Sequence, residues 1–222
     1  CAYCIVPMVR GREKSLPPEQ VINEIRHRVA DGYQEIVLTG TEIGRYSFDG
    51  LCLSGLLRRI LKETDVKRLR LSSLQPREID ADLIRLGEDP RLCRHFHLAL
   101  QSGSESVLQR MGRHYSPDDF SFAVGMIRRE MPEAAVTTDV IVGFPGETDK
   151  EFAETCSFCR NMEFARIHVF PYSPRKGTRA AQMPGQIDNG VKKQRCAEML
   201  CLAGDSLRKF HSRFLGQRQT VL

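Results

Sequence analysis

The segment VTTDVIVGFPGE, residues 136–147, shows how this chain is organised. Its first seven residues are apolar or β-branched apart from Asp139, which favours a strand buried on both faces. Gly143, Pro145 and Gly146 end that strand, and a helical pattern of apolar residues begins at residue 150. A buried strand, a glycine-rich loop and a helix form one β-α unit, and a series of such units builds a parallel sheet.

The same alternation of strand and helix extends over most of the chain. Apolar runs predict strands at residues 35–40, 68–72, 96–100, 136–142 and 167–170. Amphipathic patterns predict helices at residues 19–30, 53–63, 117–130, 150–162 and 191–214, and one more from about residue 79 with Asp80 as its N-cap. Residues 175–189 are predicted to form a loop. An α/β protein follows, with a parallel sheet that is either open or an incomplete barrel.

Composition and charge exclude several classes of protein. Of the 222 residues, 41% are hydrophobic and 27% are charged, a balance typical of a globular domain. No apolar run reaches the roughly 18 residues that a membrane span requires, and no secretory signal is visible, so we expect a cytoplasmic protein with no membrane partner. Residues 175–222 carry ten basic and three acidic groups. Such a segment suits an anionic partner such as a nucleic acid, or it is a solvated helix surface.

The eight cysteines predict different roles according to their spacing. Cys1 and Cys4, a C-x-x-C pair in a loop, suit a metal ion or cluster, half of a zinc site, or a redox pair. Cys156 and Cys159 have the same spacing inside a predicted helix, which favours packing. We expect the remaining cysteines to be small buried side chains; they are Cys52, Cys93, Cys196 and Cys201.

A site is expected at the carboxyl ends of the strands, because parallel α/β sheets bind ligands there. Glycines, hydroxyls and amides occupy these ends, at residues 39–42, 72–73, 101–103, 143–147 and 171–173. No Ser-His-Asp order, HExxH or Walker motif accompanies them, so a bound cofactor is expected to supply the chemistry. His95 and His97 alternate along one strand as a metal pair would, but we expect a structural role because the sequence places no acidic or thiol partner beside them.

Seven stretches of the sequence resemble one family, in the order that the family has them. CAYCIVP at residues 1–7 resembles the end of the cluster motif C-x-x-x-C-x-aromatic-C of radical S-adenosylmethionine (SAM) enzymes. The others are similar to the methylthiotransferase branch of that superfamily: LTG at 38–40, LSSLQP at 71–76, HLALQSGS at 97–104, RMGRHY at 110–115, TDVIVGFPGET at 138–148 and VFPYSPRKGT at 169–178.

The resemblance implies a radical SAM partial (β/α)6 TIM-like barrel with parallel strands. The family's first strand and the first of its three cluster cysteines would precede residue 1, as would an amino-terminal domain with a second cluster. The radical SAM core would cover residues 1–189, a carboxy-terminal helix and linker residues 190–215, and the start of a TRAM-like RNA-binding domain residues 216–222. We therefore expect a fragment that is inactive alone.

The resemblance also implies two cofactors, a [4Fe-4S] cluster and SAM. Cys1 and Cys4 would be metal ligands that hold the cluster. Gly40 and Thr41 would bind the methionine amino group, although TGTE stands here where the superfamily has GGE. The other expected contacts with SAM are Tyr3, Ser73, Gln101, Arg113, Asp139, Ile141, Phe170 and Tyr172.

The activity implied is insertion of sulfur and a methyl group at C2 of threonylcarbamoyladenosine at position 37 of tRNA, through a 5′-deoxyadenosyl radical. LTG and SSLQP favour that branch. Sister branches act on isopentenyladenosine in tRNA or on an aspartate of a ribosomal protein, and another radical SAM reaction stays open. So do two further classes, a zinc or thiol-redox module and a non-catalytic tRNA-binding protein. The expected partners are tRNA, an electron donor and a sulfur donor.

Overall fold

Seven strands organise the molecule in the computed structural model, which describes residues 1–11 and 13–218. In chain order they are β1 (Glu35–Leu38), β2 (Ser47–Phe48), β3 (Leu51–Cys52), β4 (Arg68–Leu71), β5 (His95–His97), β6 (Ala135–Val142) and β7 (Arg166–Pro171). β1 pairs in parallel with β4, and β5, β6 and β7 pair in parallel in that order. A parallel bridge between Leu74 and Leu98 joins the two groups, so five strands form one open arc.

Helices alternate with the strands of this arc. They are α1 (Val6–Arg10), α2 (Pro18–Ala30), α3 (Leu53–Glu63), α4 (Ala81–Arg85), α5 (Glu105–Met111), α6 (Pro117–Glu130), α7 (Asp149–Met162) and α8 (Asn189–Ser212). Capping residues set several starts: the Thr148 hydroxyl accepts from the amide of Glu151, and the Glu151 carboxylate accepts from the amide of Thr148. The Asp80 side chain caps α4, as predicted. None of the helices in the described ranges is long and apolar enough to cross a membrane.

The two faces of the central strands have different surroundings. Phe96, Leu98, Val136 and Val140 alternate onto one face and are buried in the main core, where helix residues such as Phe120 also lie. The intervening residues, among them His97 and Asp139, point to the opposite face and are partly exposed. This second face is the interior of the arc, and it is where a ligand can enter.

The predicted fold is confirmed as an α/β arc of five parallel strands, consistent with a partial TIM-like barrel. The bounds of α3 and α6 are those predicted, and the other predicted helices differ at their ends. Three features were not expected: α1, α5, and an antiparallel hairpin of β2 and β3. The hairpin turns at Asp49 and Gly50, both at positive φ, the conformation that an Asp-Gly turn favours.

The structure corrects part of the cysteine interpretation. Cys156 and Cys159 are buried in the core on one face of α7, as expected, and burial raises the pKa of both thiols. Cys52 and Cys201, however, are exposed, so the prediction that they are buried is wrong. Cys52 precedes the first turn of α3, and Cys201 lies on the outer side of α8, where no core residue covers them. Cys93 and Cys196 are half-buried.

The predicted division of the chain at residue 190 stays a prediction. α8 packs against β7 and α7 and contributes Met199 and Leu202 to the main core. Of the predicted start of a further domain at residues 216–222, residues 219–222 lie outside the described part of the chain.

Candidate functional site

A cavity of about 310 Å³ opens at the carboxyl ends of β6 and β7. Six of the residues predicted to contact SAM line it, which are Tyr3, Gln101, Asp139, Ile141, Phe170 and Tyr172. Pro171, Ser173 and Arg175 complete the lining. Strand alternation explains the convergence, since Asp139 and Ile141 are two residues apart on β6 and Phe170 is the register partner of Ile141.

The loop that carries Cys1 and Cys4 is fixed by the main chain of the residue next to Cys1. The amide of Ala2 donates to the carbonyl of Met111 at 2.7 Å, and the carbonyl of Ala2 accepts from the amide of Ala180 at 2.9 Å. Ala2 itself is buried, whereas Cys1 is exposed and Cys4 is half-buried, both as free thiols. Two sulfur atoms are thus presented beside the cavity from a well-anchored loop.

Arg113 connects this loop to the floor of the site. Its Nη1 donates to Cys1 Sγ at 2.9 Å, and its Nε donates to the hydroxyl of Tyr115 at 2.9 Å. Tyr115 in turn donates to the carbonyls of Ala99 and Leu100, which precede Gln101. The structure therefore places Arg113 beside the thiol of Cys1, one step from the position at a SAM carboxylate that the resemblance implied.

Aromatic rings form one wall of the cavity. Tyr3 packs edge-on against Phe144 with ring centroids 6.1 Å apart, and Phe144 packs edge-on against Tyr172 at 5.2 Å. Burial raises the pKa of Tyr3 to about 12, so its hydroxyl stays protonated at neutral pH. Within the described residues, the hydroxyl of Tyr172 is buried and has no hydrogen-bond partner. A buried polar group without a partner is unfavourable, and a ligand in the cavity would supply one.

Gln101 has a backbone conformation that favours glycine. Its φ is 69°, and its amide and carbonyl bond the main chain on either side of Val140, to the carbonyl of Asp139 at 2.8 Å and the amide of Ile141 at 2.9 Å. A left-handed conformation in a residue with a side chain costs about 1 kcal/mol. Such local strain is concentrated at functional sites, and here it turns the Gln101 side chain toward the cavity.

Asp139 has the partner that a carboxylate in an apolar strand needs. Its Oδ2 lies 3.2 Å from His97 Nε2, and the ligand atoms of His97, Asp139 and His168 all lie within 4.8 Å of one another. The expectation that no acidic group lies beside His97 is therefore wrong. It failed because the partner comes from β6, about forty residues away, where only the register of the sheet brings it close.

Three predicted contacts lie elsewhere. Gly40 and Thr41 line a separate cavity of about 270 Å³ beside α2 and α3, and both residues are exposed. Ser73 is exposed and lines neither of these two cavities. Its neighbour Ser72, which the sequence also placed at a strand end, has a buried hydroxyl that finds no partner in the described part of the chain. The structure thus brings together the contacts from β5, β6 and β7 and leaves those from β1 and β4 apart.

Two residues of α8 support the site and were not predicted. Arg195 forms a buried ion pair with Glu147 at 2.7 Å, and the same carboxylate accepts from the amide of Gly143 at 2.7 Å. Lys192 stacks over the ring of Tyr172, with Nζ 5.5 Å from the centroid. The sequence signal was the basic segment itself, since Lys192 and Arg195 lie one helical turn apart on the face of α8 that packs inward.

Comparison with known proteins assigns the class. The family model "Radical SAM superfamily" matches residues 1–176, and this chain belongs to that superfamily. Solved structures of the class share the fold: TsrM, a radical S-adenosylmethionine methyltransferase from Kitasatospora setae with cobalamin and a [4Fe-4S] cluster bound, covers 82% of this chain and 37% of its own at TM-score 0.68 and 19% identity. Coproporphyrinogen III oxidase (HemN) from Escherichia coli, a radical SAM enzyme, covers 85% of this chain and 46% of its own at TM-score 0.64 and 16% identity.

Relatives with higher identity are tRNA-modifying enzymes. The chain is 39% identical over 226 residues to the tRNA-2-methylthio-N(6)-dimethylallyladenosine synthase of Caldicellulosiruptor saccharolyticus, with 100% of this chain and 48% of that protein covered. It is 40% identical over 225 residues to the threonylcarbamoyladenosine tRNA methylthiotransferase MtaB of Thermotoga maritima, with 100% and 52% covered. The chain spans about half the length of the curated relatives it matches.

Membership in the superfamily confirms the predicted cofactors, a [4Fe-4S] cluster and SAM. The residues present fit them. Cys1 and Cys4 are free thiols on an anchored loop, as cluster ligands must be, and the unpartnered hydroxyl of Tyr172 marks the cavity next to that loop as a ligand site.

Proposed function

We propose that the protein is a tRNA methylthiotransferase that works by radical SAM chemistry. The observation that carries this proposal is the placement of the Cys1–Cys4 loop beside a cavity whose lining comes from motifs shared with the methylthiotransferases. Relatives of both kinds that cover the whole chain are named as tRNA methylthiolating enzymes, which supports RNA as the substrate class.

Within that class, we propose threonylcarbamoyladenosine at position 37 of tRNA as the target, with C2 as the carbon that is modified. LTG at residues 38–40 and SSLQP at residues 72–76 support this choice. The dimethylallyladenosine relative is as similar to the chain as the threonylcarbamoyladenosine relative, so N(6)-dimethylallyladenosine is the second candidate target.

The side chains at the cavity have separate tasks in this proposal. Cys1 and Cys4 bind the cluster, and Arg113 keeps Cys1 in place through its hydrogen bond to Sγ. When bound, the cluster and SAM together supply a carbon radical that removes a hydrogen atom from the substrate. The ring of Tyr3 and the wall behind it keep water away from that reaction. Ile141 packs against the apolar cluster that includes Phe144 and offers a flat surface to an adenine.

The remaining predicted contacts, at Gly40, Thr41 and Ser73, belong to the same proposal at the methionine end of SAM. An electron donor, a sulfur donor and a cytoplasmic location stay predictions. Arg175 at the rim of the cavity supports an RNA partner, because a guanidinium there can contact a phosphate next to the target base.

Gene deletion followed by mass spectrometry of tRNA nucleosides tests the proposal. We expect loss of the methylthio form of threonylcarbamoyladenosine. Loss of the methylthio form of dimethylallyladenosine would assign the second candidate, and an unchanged set of tRNA nucleosides would contradict a tRNA target altogether.

Variants of the full-length protein make the test specific to the cluster loop. Complementation with Cys1→Ala or Cys4→Ala should leave tRNA without the methylthio group. Complementation with Cys52→Ala or Cys201→Ala, which change exposed thiols away from the loop, should restore it. Restoration by all four variants would contradict the assignment of the ligands.

A further inference from the structure

We propose that Asp139 is the hydrogen-bond acceptor for an adenosine group in the cavity, and that His97, Thr137 and His95 are positioning residues that hold its carboxylate. This inference rests on the proposed function and deepens it, because both SAM and the target nucleotide of the RNA carry an adenosine. Its N–H and O–H groups are donors of the kind that a carboxylate accepts.

A continuous chain of side chains leads to Asp139 across the interior face of the arc. His95 Nε2 lies 3.1 Å from Thr137 Oγ1, and Thr137 Oγ1 lies 3.0 Å from His97 Nδ1. His97 Nε2 then lies 3.2 Å from Asp139 Oδ2. The four residues alternate between β5 and β6 and rise toward the cavity, so each link depends on the register of these two strands.

An unpartnered atom at the far end sets the direction of this chain. In the described residues, His95 Nδ1 is buried and has no hydrogen-bond partner. A buried N–H without an acceptor is rarer in proteins than an acceptor without a donor, so the proton of His95 belongs on Nε2. Burial, with the nearby charge of Arg70, lowers the pKa of His95 to about 4, so this ring is neutral at physiological pH.

The direction then passes along the chain without a conflict. His95 Nε2 donates to Thr137 Oγ1, and the single hydroxyl proton of Thr137 goes to His97 Nδ1. His97 must therefore carry its own proton on Nε2, which donates to Asp139 Oδ2. One carboxylate oxygen is held in this way, and the other carboxylate oxygen accepts no hydrogen bond from the described residues. Asp139 lines the cavity, so this oxygen is available to a ligand.

The same direction argues against a metal ion at His97, Asp139 and His168. A histidine that binds a metal through Nε2 must leave that nitrogen unprotonated and usually donates from its Nδ1. Here Nδ1 of His97 accepts and Nε2 donates. His168 contacts the ring of His97 edge-on, with centroids 5.9 Å apart, but stands outside the hydrogen-bonded chain. It is therefore the matched control residue.

The test uses the full-length holoenzyme with its clusters reconstituted. The dissociation constants of SAM and of a tRNA anticodon stem-loop are measured for the wild type and for Asp139→Asn, His97→Leu, His97→Gln and His168→Leu. We expect Asp139→Asn and His97→Leu to raise one of the two constants by about tenfold, the effect of losing a hydrogen bond to a charged group. His97→Gln, whose amide can donate from the position of Nε2, should stay within about threefold of the wild type, and so should His168→Leu.

The two ligands distinguish the source of the adenosine. A change in the constant for SAM alone assigns Asp139 to the cofactor, and a change for the stem-loop alone assigns it to the substrate. Unchanged constants in both variants would overturn the proposal. An equal effect of His168→Leu and His97→Leu, together with a bound metal ion that both remove, would overturn it in favour of a metal site. Methylthiolation of tRNA by the wild type is assayed separately, so failure of the proposed function is seen independently while binding of SAM still tests Asp139.

Discussion

The two ends of the strand arc differ in how their strand ends are held. At β5, β6 and β7, the carboxylates of Asp139 and Glu147 have fixed partners on other elements, and Tyr115 ties down the main chain before Gln101. At β1, which within the described residues pairs only with β4, Gly40 and Thr41 are exposed. Reactive sites need side chains held in place in advance, so this contrast indicates that the adenosine end of the site is preformed by this chain and the β1 end is not.

The largest effect should come from the ion pair that joins α8 to the β6 loop. Arg195→Leu leaves Glu147 as a buried carboxylate without its counterion, and burial already raises the pKa of that group. Removal of one partner of a buried pair costs about 3–5 kcal/mol in the free energy of unfolding. Denaturant titration measures the loss.

Arg208→Leu is the matched control, because Arg208 lies on the same helix and pairs with Asp205 at the surface. We expect a change below about 1 kcal/mol for that exposed pair. Equal losses in the two variants would mean that the β5–β7 end is not held by its buried pair, and the contrast between the ends would disappear.

Two glycines should respond to alanine with opposite signs. At Gly103, in the loop after β5, a Cβ would lie 2.6 Å from Cβ of Phe158 and 2.9 Å from Cα of Thr155. Overpacking of that kind destabilises by about 1–3 kcal/mol. Gly125, inside α6, has nothing within 4 Å of the added Cβ, and alanine there should stabilise by up to about 1 kcal/mol. Thermal unfolding of both variants decides the point, and a neutral Gly103→Ala would show that the loop is loosely packed.

Stability should fall when the pH is lowered through the range in which His95 differs between states. Its pKa is lowered from 6.5 to about 4 in the folded protein, so the unfolded chain binds more protons between those values. The free energy of unfolding therefore decreases as the pH falls from about 6.5 to 4, by less than about 1.4 kcal/mol per pH unit for one proton.

His95→Gln, which cannot titrate, should show a shallower decrease over the same range, since the other histidines contribute equally to both proteins. Denaturant titrations at pH 7 and pH 5 compare the two. Parallel curves would show that His95 is solvated, and would weaken the view that the β5–β7 interior is fixed in advance.

The smallest effect is expected near the β1 end. Gly50 has φ 81° in the turn between β2 and β3, and nothing lies within 4 Å of an added Cβ. Gly50→Ala should therefore cost only the strain of the left-handed conformation, about 1 kcal/mol. Thermal unfolding measures it, and a loss as large as that of Arg195→Leu would show that this end is as tightly coupled as the other.

The parallel fold was predictable because its signals are local. Residues 136–142 are apolar enough to identify a buried strand, and Pro117 and Gly32 mark where a helix begins and another has ended. The hairpin of β2 and β3 was missed because each strand has two residues, too few for a hydrophobic alternation, although Asp49-Gly50 is a turn signal. The short helix α5 was missed for the same reason of length.

The candidate site was predictable only in part. Its strand-end rule selected Gln101, Asp139 and Tyr172, which the structure gathers around one cavity. The partners of these residues could not be read from the sequence, because His97 and Asp139 meet through strand register and Glu147 and Arg195 meet through the packing of α8. Such pairings depend on the packing of whole elements, which no local pattern contains.

The anchoring of Ala2 has a consequence for the order of assembly. Its two main-chain hydrogen bonds reach Met111, at the end of α5, and Ala180, beyond β7. Contacts between segments so far apart along a chain form late in folding, because the entropy of closing a long loop must be overcome first. We expect Cys1 and Cys4 to reach their final positions only after the strand arc is complete. Iron and sulfide would then be captured by a folded protein, and a folding defect at α5 would appear first as poor cluster loading.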